Sequence, residues 1–309
     1  MEGVGKTSNP KIQTSEKIQS SIFKPVAWGD WQGILLLMKS NKYHFGCLGA
    51  GGRPRPALVA PLLLALGLVA LNGSQAGAAP VTITSSSRQT SLVELYTSEG
   101  CSSCPPAEAW LSGLKDNPGL WRDFVPVAFH VDYWNYLGWR DPWSRPEYSD
   151  RQQEYARAWG SENVYTPEFV VNGQEWNRHF WNTSVPAGTV PDAGILRVTS
   201  SDGREWQASY TAPSSSAKGV QVYQLHTALL VCEVGSDVKA GENSGRRLNH
   251  DFAALTLTEQ PLVSKTNEFH VSFRIDEKSK PATGRLALAV WVVPNGQTTP
   301  VQAVGGWLP

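Results

Sequence analysis

Two cysteines, Cys101 and Cys104, stand where an alternating pattern gives way to a helical one, and this placement narrows the fold more than any other feature. Ser91 to Tyr96 (SLVELY) alternates, with Leu92, Glu94 and Tyr96 facing one way and Val93 and Leu95 the other, which predicts a strand. Thr97 to Gly100 reads as a loop. A helix is expected to open at Cys101, because Pro105 and Pro106 fall near its first turn, where proline is tolerated. Ala107, Trp110, Leu111 and Leu114 then share one apolar face, and Asn117-Pro118-Gly119 ends the helix.

That placement suits redox chemistry. A helix start leaves N–H groups free and carries positive potential. Both favour a thiolate, so Cys101 is expected to attack and Cys104, one turn inside, to resolve a mixed disulfide. Ser102 and Ser103 can donate hydrogen bonds to sulfur. So short a loop makes a poor structural staple. Zinc sites also use C-x-x-C, but they need a second pair of ligands. Cys232 stands alone and far off, and His130 offers a third ligand with no obvious fourth. Copper held by Cys101, Cys104 and a histidine is the remaining metal alternative. No organic cofactor is implied, and no metal is assigned.

Further along, Val125 to Val131 predicts a buried strand, and Asp132 to Trp143 an aromatic loop. Ser144 and Glu147 have the spacing of a capping box, opening a helix that Gly160 stops. Phe169 to Val171 predicts a strand closed by the hairpin signal Asn172-Gly173. Pro167 cannot donate to a ladder. A cis bond at Thr166–Pro167 would turn the Thr166 backbone outward beside the dithiol, where an extended peptide could pair with it. A trans proline opening an edge strand is the alternative. His130 and Asp132 could form a polar pair near the thiols. From Gly194 onward short strands and polar turns, including Pro213 to Lys218, predict an all-β part.

The chain's ends differ in charge. Residues 1–78 hold 8 Lys and Arg against 3 Asp and Glu, while the rest hold 19 against 24. A mildly acidic body argues against a nucleic-acid partner. Arg53 and Arg55, the apolar run Ala57 to Leu71 and Ala76-Gly77-Ala78 form the three regions of a signal peptide. The run is shorter than the roughly 20 residues of a spanning helix, so no stable membrane span is expected after cleavage. The expected organisation is an N-terminal extension over 1–52, disordered or arising from a start placed upstream of Met38, then a signal peptide over 53–78. A redox domain over 79–192 and a β-rich domain over 193–309 follow.

VELYTSEGCSSC (Val93 to Cys104) resembles the strand-loop-dithiol opening of glutaredoxins and thioredoxins, and TPEFVVNG (Thr166 to Gly173) resembles their cis-proline strand. The mature chain more closely resembles a secreted bacterial family, domain of unknown function 1223. The segments that carry this are ELYTSEGCSSCPPAE, FHVDYWNYLGWRDPW, YTPEFVVNG and Gly241 to Asp251. The resemblance implies an α/β thioredoxin-like domain followed by a β-rich, sandwich-like C-terminal domain. It also implies Cys101 as nucleophile, Cys104 as resolving thiol and Pro167 as cis-proline. Thioredoxins place a buried carboxylate behind the dithiol, and Glu94 is the nearest candidate. No basic residues stand near the dithiol to bind glutathione.

The candidate catalytic set is therefore Cys101, Cys104, Thr166, Pro167 and Glu94. The expected activity is thiol–disulfide exchange with cysteine-containing exported proteins or a redox partner protein, in the periplasm or outside the cell. The competing expectation is a non-catalytic binding module with a structural disulfide or a copper site.

Overall fold

The computed structural model describes residues 80–176, 184–214, 222–265, 267–276, 279 and 281–309. The expected extension and signal peptide, with Met38 and Cys47, lie outside them, as does most of the Pro213–Lys218 turn. Strands β1 (Val81–Thr84) and β2 (Ser91–Thr97) lead to helix α1 (Pro105–Gly113), β3 (Phe124–His130) and helix α2 (Pro146–Ala158). The hairpin of β4 (Glu168–Val171) and β5 (Gln174–Glu175) follows. After it come β6 (Ile195–Ser200), β7 (Glu205–Thr211), β8 (Tyr223–Cys232), β9 (Val234–Asp237) and β10 (Arg247–His250). The last strands are β11 (Ala253–Ala254), β12 (Thr258–Lys265), β13 (Glu268–Arg274), β14 (Arg285–Pro294) and β15 (Gln302–Trp307).

This architecture corrects the expectation of an α/β thioredoxin-like domain followed by a separate β-rich domain. The described residues hold two α-helices, and strands dominate. Among the described residues one mixed sheet of 13 strands runs through both expected parts, and all of them fall in one compact unit. The seam is β11, where Ala253 pairs parallel with Ala128 of β3 and antiparallel with Val231 of β8.

The physical reason lies in β8 and β14. Ala228, Leu230 and Cys232 enter one core with Ala287, Ala289 and Trp291, against β2, β3 and α2. Leu229, Val231, Leu288, Val290 and Val292 enter the other, against β6, β7 and β13. Strands buried on both faces read as continuous apolar runs and need a layer on each side. The dithiol-bearing strands supply one of those layers, so the β-rich part does not close on itself. β12 joins the layers: Thr258 to Leu262 pair with β8, and Val263 to Lys265 with β13.

Locally, several expectations are met. The expected strands form as β2, β3 and β4, and β2 lies parallel to β3 and antiparallel to β4. Asn172 (φ 50°) and Gly173 (φ 77°) both take the positive φ of a tight hairpin turn. The capping box does not form. Pro146 opens α2 behind Arg145, and the Ser144 hydroxyl donates instead to the Asp141 carbonyl at 2.8 Å. Among the described residues no helix is long and apolar enough to cross a membrane.

Candidate functional site

Cys101 and Cys104 are joined as a disulfide, with Cα atoms 5.5 Å apart. The helix begins at Pro105, later than expected, with Cys104 as its N-cap. Pro105 and Pro106 have no N–H, and the N–H groups of Ala107 and Glu108 donate to the Cys104 carbonyl at 2.9 and 3.1 Å. The helix therefore offers the sulfurs its dipole but none of its N–H groups. Ser103 Oγ lies 3.3 Å from Cys101 Sγ.

Three segments converge on this turn. The first is the proline strand: the Thr166–Pro167 peptide is cis, and the Thr166 carbonyl oxygen lies 3.7 Å from Cys101 Sγ. The second is the aromatic loop. Trp134 Nε1 donates to Thr166 Oγ1 at 2.8 Å, and a Cβ at Gly100 would meet Trp134 Cβ at 2.9 Å, so glycine lets the loops approach. Trp139 Nε1 donates to Glu99 Oε2 at 2.6 Å. The third is the tip of the β9–β10 hairpin. Asn243 Nδ2 donates to the carbonyls of Glu99 and Cys101, both at 2.9 Å, and Glu242 Oε2 accepts from the Ser102 N–H at 2.9 Å. The Gly241–Asp251 segment is thus a hydrogen-bonded loop that also rests on the dithiol turn. Cys101 is 1% exposed and Cys104 not at all.

Thr97 and Glu94 point to opposite faces of β2. On the α1 face, Thr97 Oγ1 donates to Glu108 Oε1 at 2.5 Å. Glu108 Oε2 lies 2.6 Å from His250 Nδ1, and His250 Nε2 lies 2.9 Å from Glu99 Oε1. His130 Nδ1 lies 2.8 Å from Asp141 Oδ2, which also accepts the Glu99 N–H at 2.8 Å. The His130 and His250 rings meet edge to face at 4.9 Å. Burial alone would lower the His250 pKa, but its bonds to Glu108 and Glu99 override this and lift it to about 10. His130 is likewise raised against its burial, by Asp141. Glu108 and Asp141 are lowered against burial, by His250 and His130 respectively.

On the α2 face, Glu94 Oε1 accepts from Arg151 Nε at 2.7 Å and Oε2 from the Tyr155 hydroxyl at 2.6 Å. The carboxylate singled out in the sequence is thus taken up on this face. Close by, Gln152 Nε2 donates to the Tyr165 carbonyl at 2.7 Å and to Glu168 Oε2 at 2.6 Å. Burial raises the Glu168 pKa to about 7 despite that bond.

The structure thus brings together Cys101, Cys104 and Thr166–Pro167. Glu108 and Asp141 were missed, and Glu99 and His250, which the sequence places near the thiols and in the Gly241–Asp251 segment, were not linked to each other. Asp132, the expected partner of His130, instead accepts the Ser149 hydroxyl at 2.5 Å. Two signals were readable: Glu108 sits three residues before Leu111 on the apolar stripe of α1, and His250 shares the inward phase of Leu248. Among the described residues Glu108, His130 and His250 form a metal-competent group, which includes neither dithiol cysteine. Cys232 is a buried free thiol whose pKa burial raises to about 12.

A family model described as "Protein of unknown function (DUF1223)" matches residues 92–293. No curated protein matches the chain. Protein AGR_C_4864 from Agrobacterium tumefaciens is a similar solved structure, at 23% identity over 72% of this chain and 96% of that one, with a TM-score of 0.49. HBP35 of Porphyromonas gingivalis is another, at 13% identity over 72% of this chain and 76% of that one, with a TM-score of 0.51. The second likeness is one of fold alone.

Proposed function

We propose that this chain, which belongs to the DUF1223 family, is an exported thiol–disulfide exchange protein whose working pair is Cys101 and Cys104. The observation that carries the reading is the Thr166 carbonyl, 3.7 Å from Cys101 Sγ. A peptide extended along the backbone at Thr166 would bring its own cysteine to Cys101. Thr166 and Pro167 then position the substrate. Glu94 is a positioning residue at one remove: it holds Arg151 of α2, and the next residue of that helix, Gln152, fixes the Tyr165 carbonyl.

In the oxidising direction a substrate thiolate attacks Cys101 Sγ. The Cys101–Cys104 bond breaks, and Cys104 leaves as a thiolate and takes a proton. A second substrate thiolate attacks the substrate sulfur of the mixed disulfide and releases Cys101. The substrate loses two electrons and two protons, and the pair gains them. The reducing direction runs the same steps backwards. Ser103, at 3.3 Å, is placed to stabilise the Cys101 thiolate. Because Cys101 is only 1% exposed, exchange requires one of the segments packed on the turn to move, and the Glu242–Asn243 tip, held there by three hydrogen bonds, is the one this reading assigns. The partners are cysteine-containing exported proteins or a redox partner protein, in the periplasm or outside the cell.

Trapping tests this reading. A Cys104→Ser variant offered a peptide with one activated disulfide should form a reductant-sensitive adduct at Cys101. The Cys101→Ser/Cys104→Ser double variant should form none. Absence of an adduct with Cys104→Ser would defeat the proposal.

A second reading has its own support. Both cysteines are nearly inaccessible, as in a binding module whose disulfide is structural. Resistance to mild reductants and no transfer to substrate would favour it.

A further inference from the structure

We infer that Glu108, His130 and His250 form a binding site for one divalent first-row transition-metal ion, on the α1 face of β2 beside the dithiol turn. The inference does not rest on thiol exchange.

Four observations converge. The three side chains are buried, and each offers a ligand atom, all within 4.8 Å of one another. His130 Nε2 has no hydrogen-bond partner among the described residues, although the side chain is wholly buried. Burial leaves that nitrogen with neither water nor a protein partner, which is unfavourable unless a ligand takes it up. The other nitrogen of the ring, Nδ1, lies 2.8 Å from Asp141 Oδ2. A carboxylate on one imidazole nitrogen is the arrangement that orients the second toward a metal. Asp141 is itself held by the N–H groups of Glu99 and Trp143, at 2.8 and 2.9 Å.

The charge balance leaves room for a cation: three buried carboxylates, Glu99, Glu108 and Asp141, face two imidazoles, no lysine or arginine forms an ion pair with any of them among the described residues, and a divalent ion would take the place of an imidazole proton. The geometry asks for shifts of under about 1.5 Å from ligand atoms that lie within 4.8 Å of one another. Zinc–ligand distances near 2.0–2.2 Å place tetrahedral ligand atoms about 3.4 Å apart. Glu108 Oε2 and His250 Nδ1, now 2.6 Å apart, would separate by under about 1 Å to admit the ion. Glu99 would stay on His250 Nε2, giving the second imidazole a carboxylate support as well. Two imidazoles and one carboxylate suit Zn²⁺ or a neighbouring divalent ion rather than Mg²⁺ or Ca²⁺.

The test uses the full chain with its disulfide oxidised, stripped of metal and then offered Zn²⁺ or Co²⁺. One ion per chain should be retained after desalting. Zinc X-ray absorption on the unmutated protein should give a nitrogen and oxygen shell with two imidazoles. His130→Ala and Glu108→Gln should each abolish retention, Asp141→Asn should weaken affinity 10- to 100-fold, and His270→Ala should leave it unchanged. Circular dichroism checks that each variant folds; the absorption measurement needs no variant. No retention by the native chain, sulfur in the coordination shell, or retention indifferent to His130→Ala would each overturn the proposal.

Discussion

Strand β2 has a buried carboxylate network on each face, and the two are neutralised differently. On the α2 face Glu94 meets Arg151 at 2.7 Å. A guanidinium keeps its charge at any ordinary pH and cannot be exchanged for another cation. On the α1 face Glu108 and Glu99 meet the two nitrogens of His250, and Asp141 meets His130. Imidazoles can give up a proton or take a metal ion in its place. The arginine side is a fixed clamp between β2 and α2. The histidine side is adjustable, and it borders the dithiol turn.

The sharpest break falls on the fixed side. Arg151→Met strands the Glu94 carboxylate and should cost about 3–5 kcal/mol by urea unfolding. Glu94→Gln with Arg151→Met should recover most of that loss, because the buried charge is gone. A double variant as unstable as the single one would show that packing, not charge, holds this face.

Glu168 adds a pH test beside the same helix. Its folded pKa of about 7 stands above an ordinary value of 4.5. Its contribution to stability is therefore whole below pH 4.5 and lost as pH rises through 7. Glu168→Gln should remove that fall and leave the protein roughly 2–4 kcal/mol more stable than wild type at pH 8. Parallel stability–pH curves would refute this.

His250→Gln probes the adjustable side. Glu108, whose pKa the imidazole holds down, can take up a proton once the imidazole is gone, so the cost should be smaller than for Arg151, about 1–3 kcal/mol. A loss as large as that of Arg151→Met would erase the contrast between the faces.

The smallest effect belongs to the hairpin tip. Asn243→Ala deletes two hydrogen bonds to the dithiol loop, worth about 1 kcal/mol each. Reduction of the disulfide by dithiothreitol should accelerate about 10- to 30-fold, with a loss of stability of no more than about 2 kcal/mol. An unchanged rate would mean that the tip does not control access.

What the sequence disclosed was local. The alternation of SLVELY, the paired prolines of α1, Asn172-Gly173 and the proximity of Thr166–Pro167 to the cysteines depend on neighbours or on one strand pairing. What it hid was long-range. Glu108 and His250 are 142 residues apart, and nothing in either neighbourhood identifies the other. The His130 partner was sought at Asp132 because strand alternation suggested it, whereas the chain turns through the aromatic loop and delivers Asp141. The separate β-rich domain failed on a readable signal. The run from Thr227 to Cys232 (TALLVC) has no polar face, so it could not be the outer surface of a self-contained sandwich.

The most direct test of the exchange reading is the reduction potential of the Cys101–Cys104 pair in the full chain, set in glutathione buffers and read by thiol alkylation. The account predicts a value between roughly −270 and −120 mV, the range of exchange proteins. A value below about −300 mV would make the disulfide structural and contradict it.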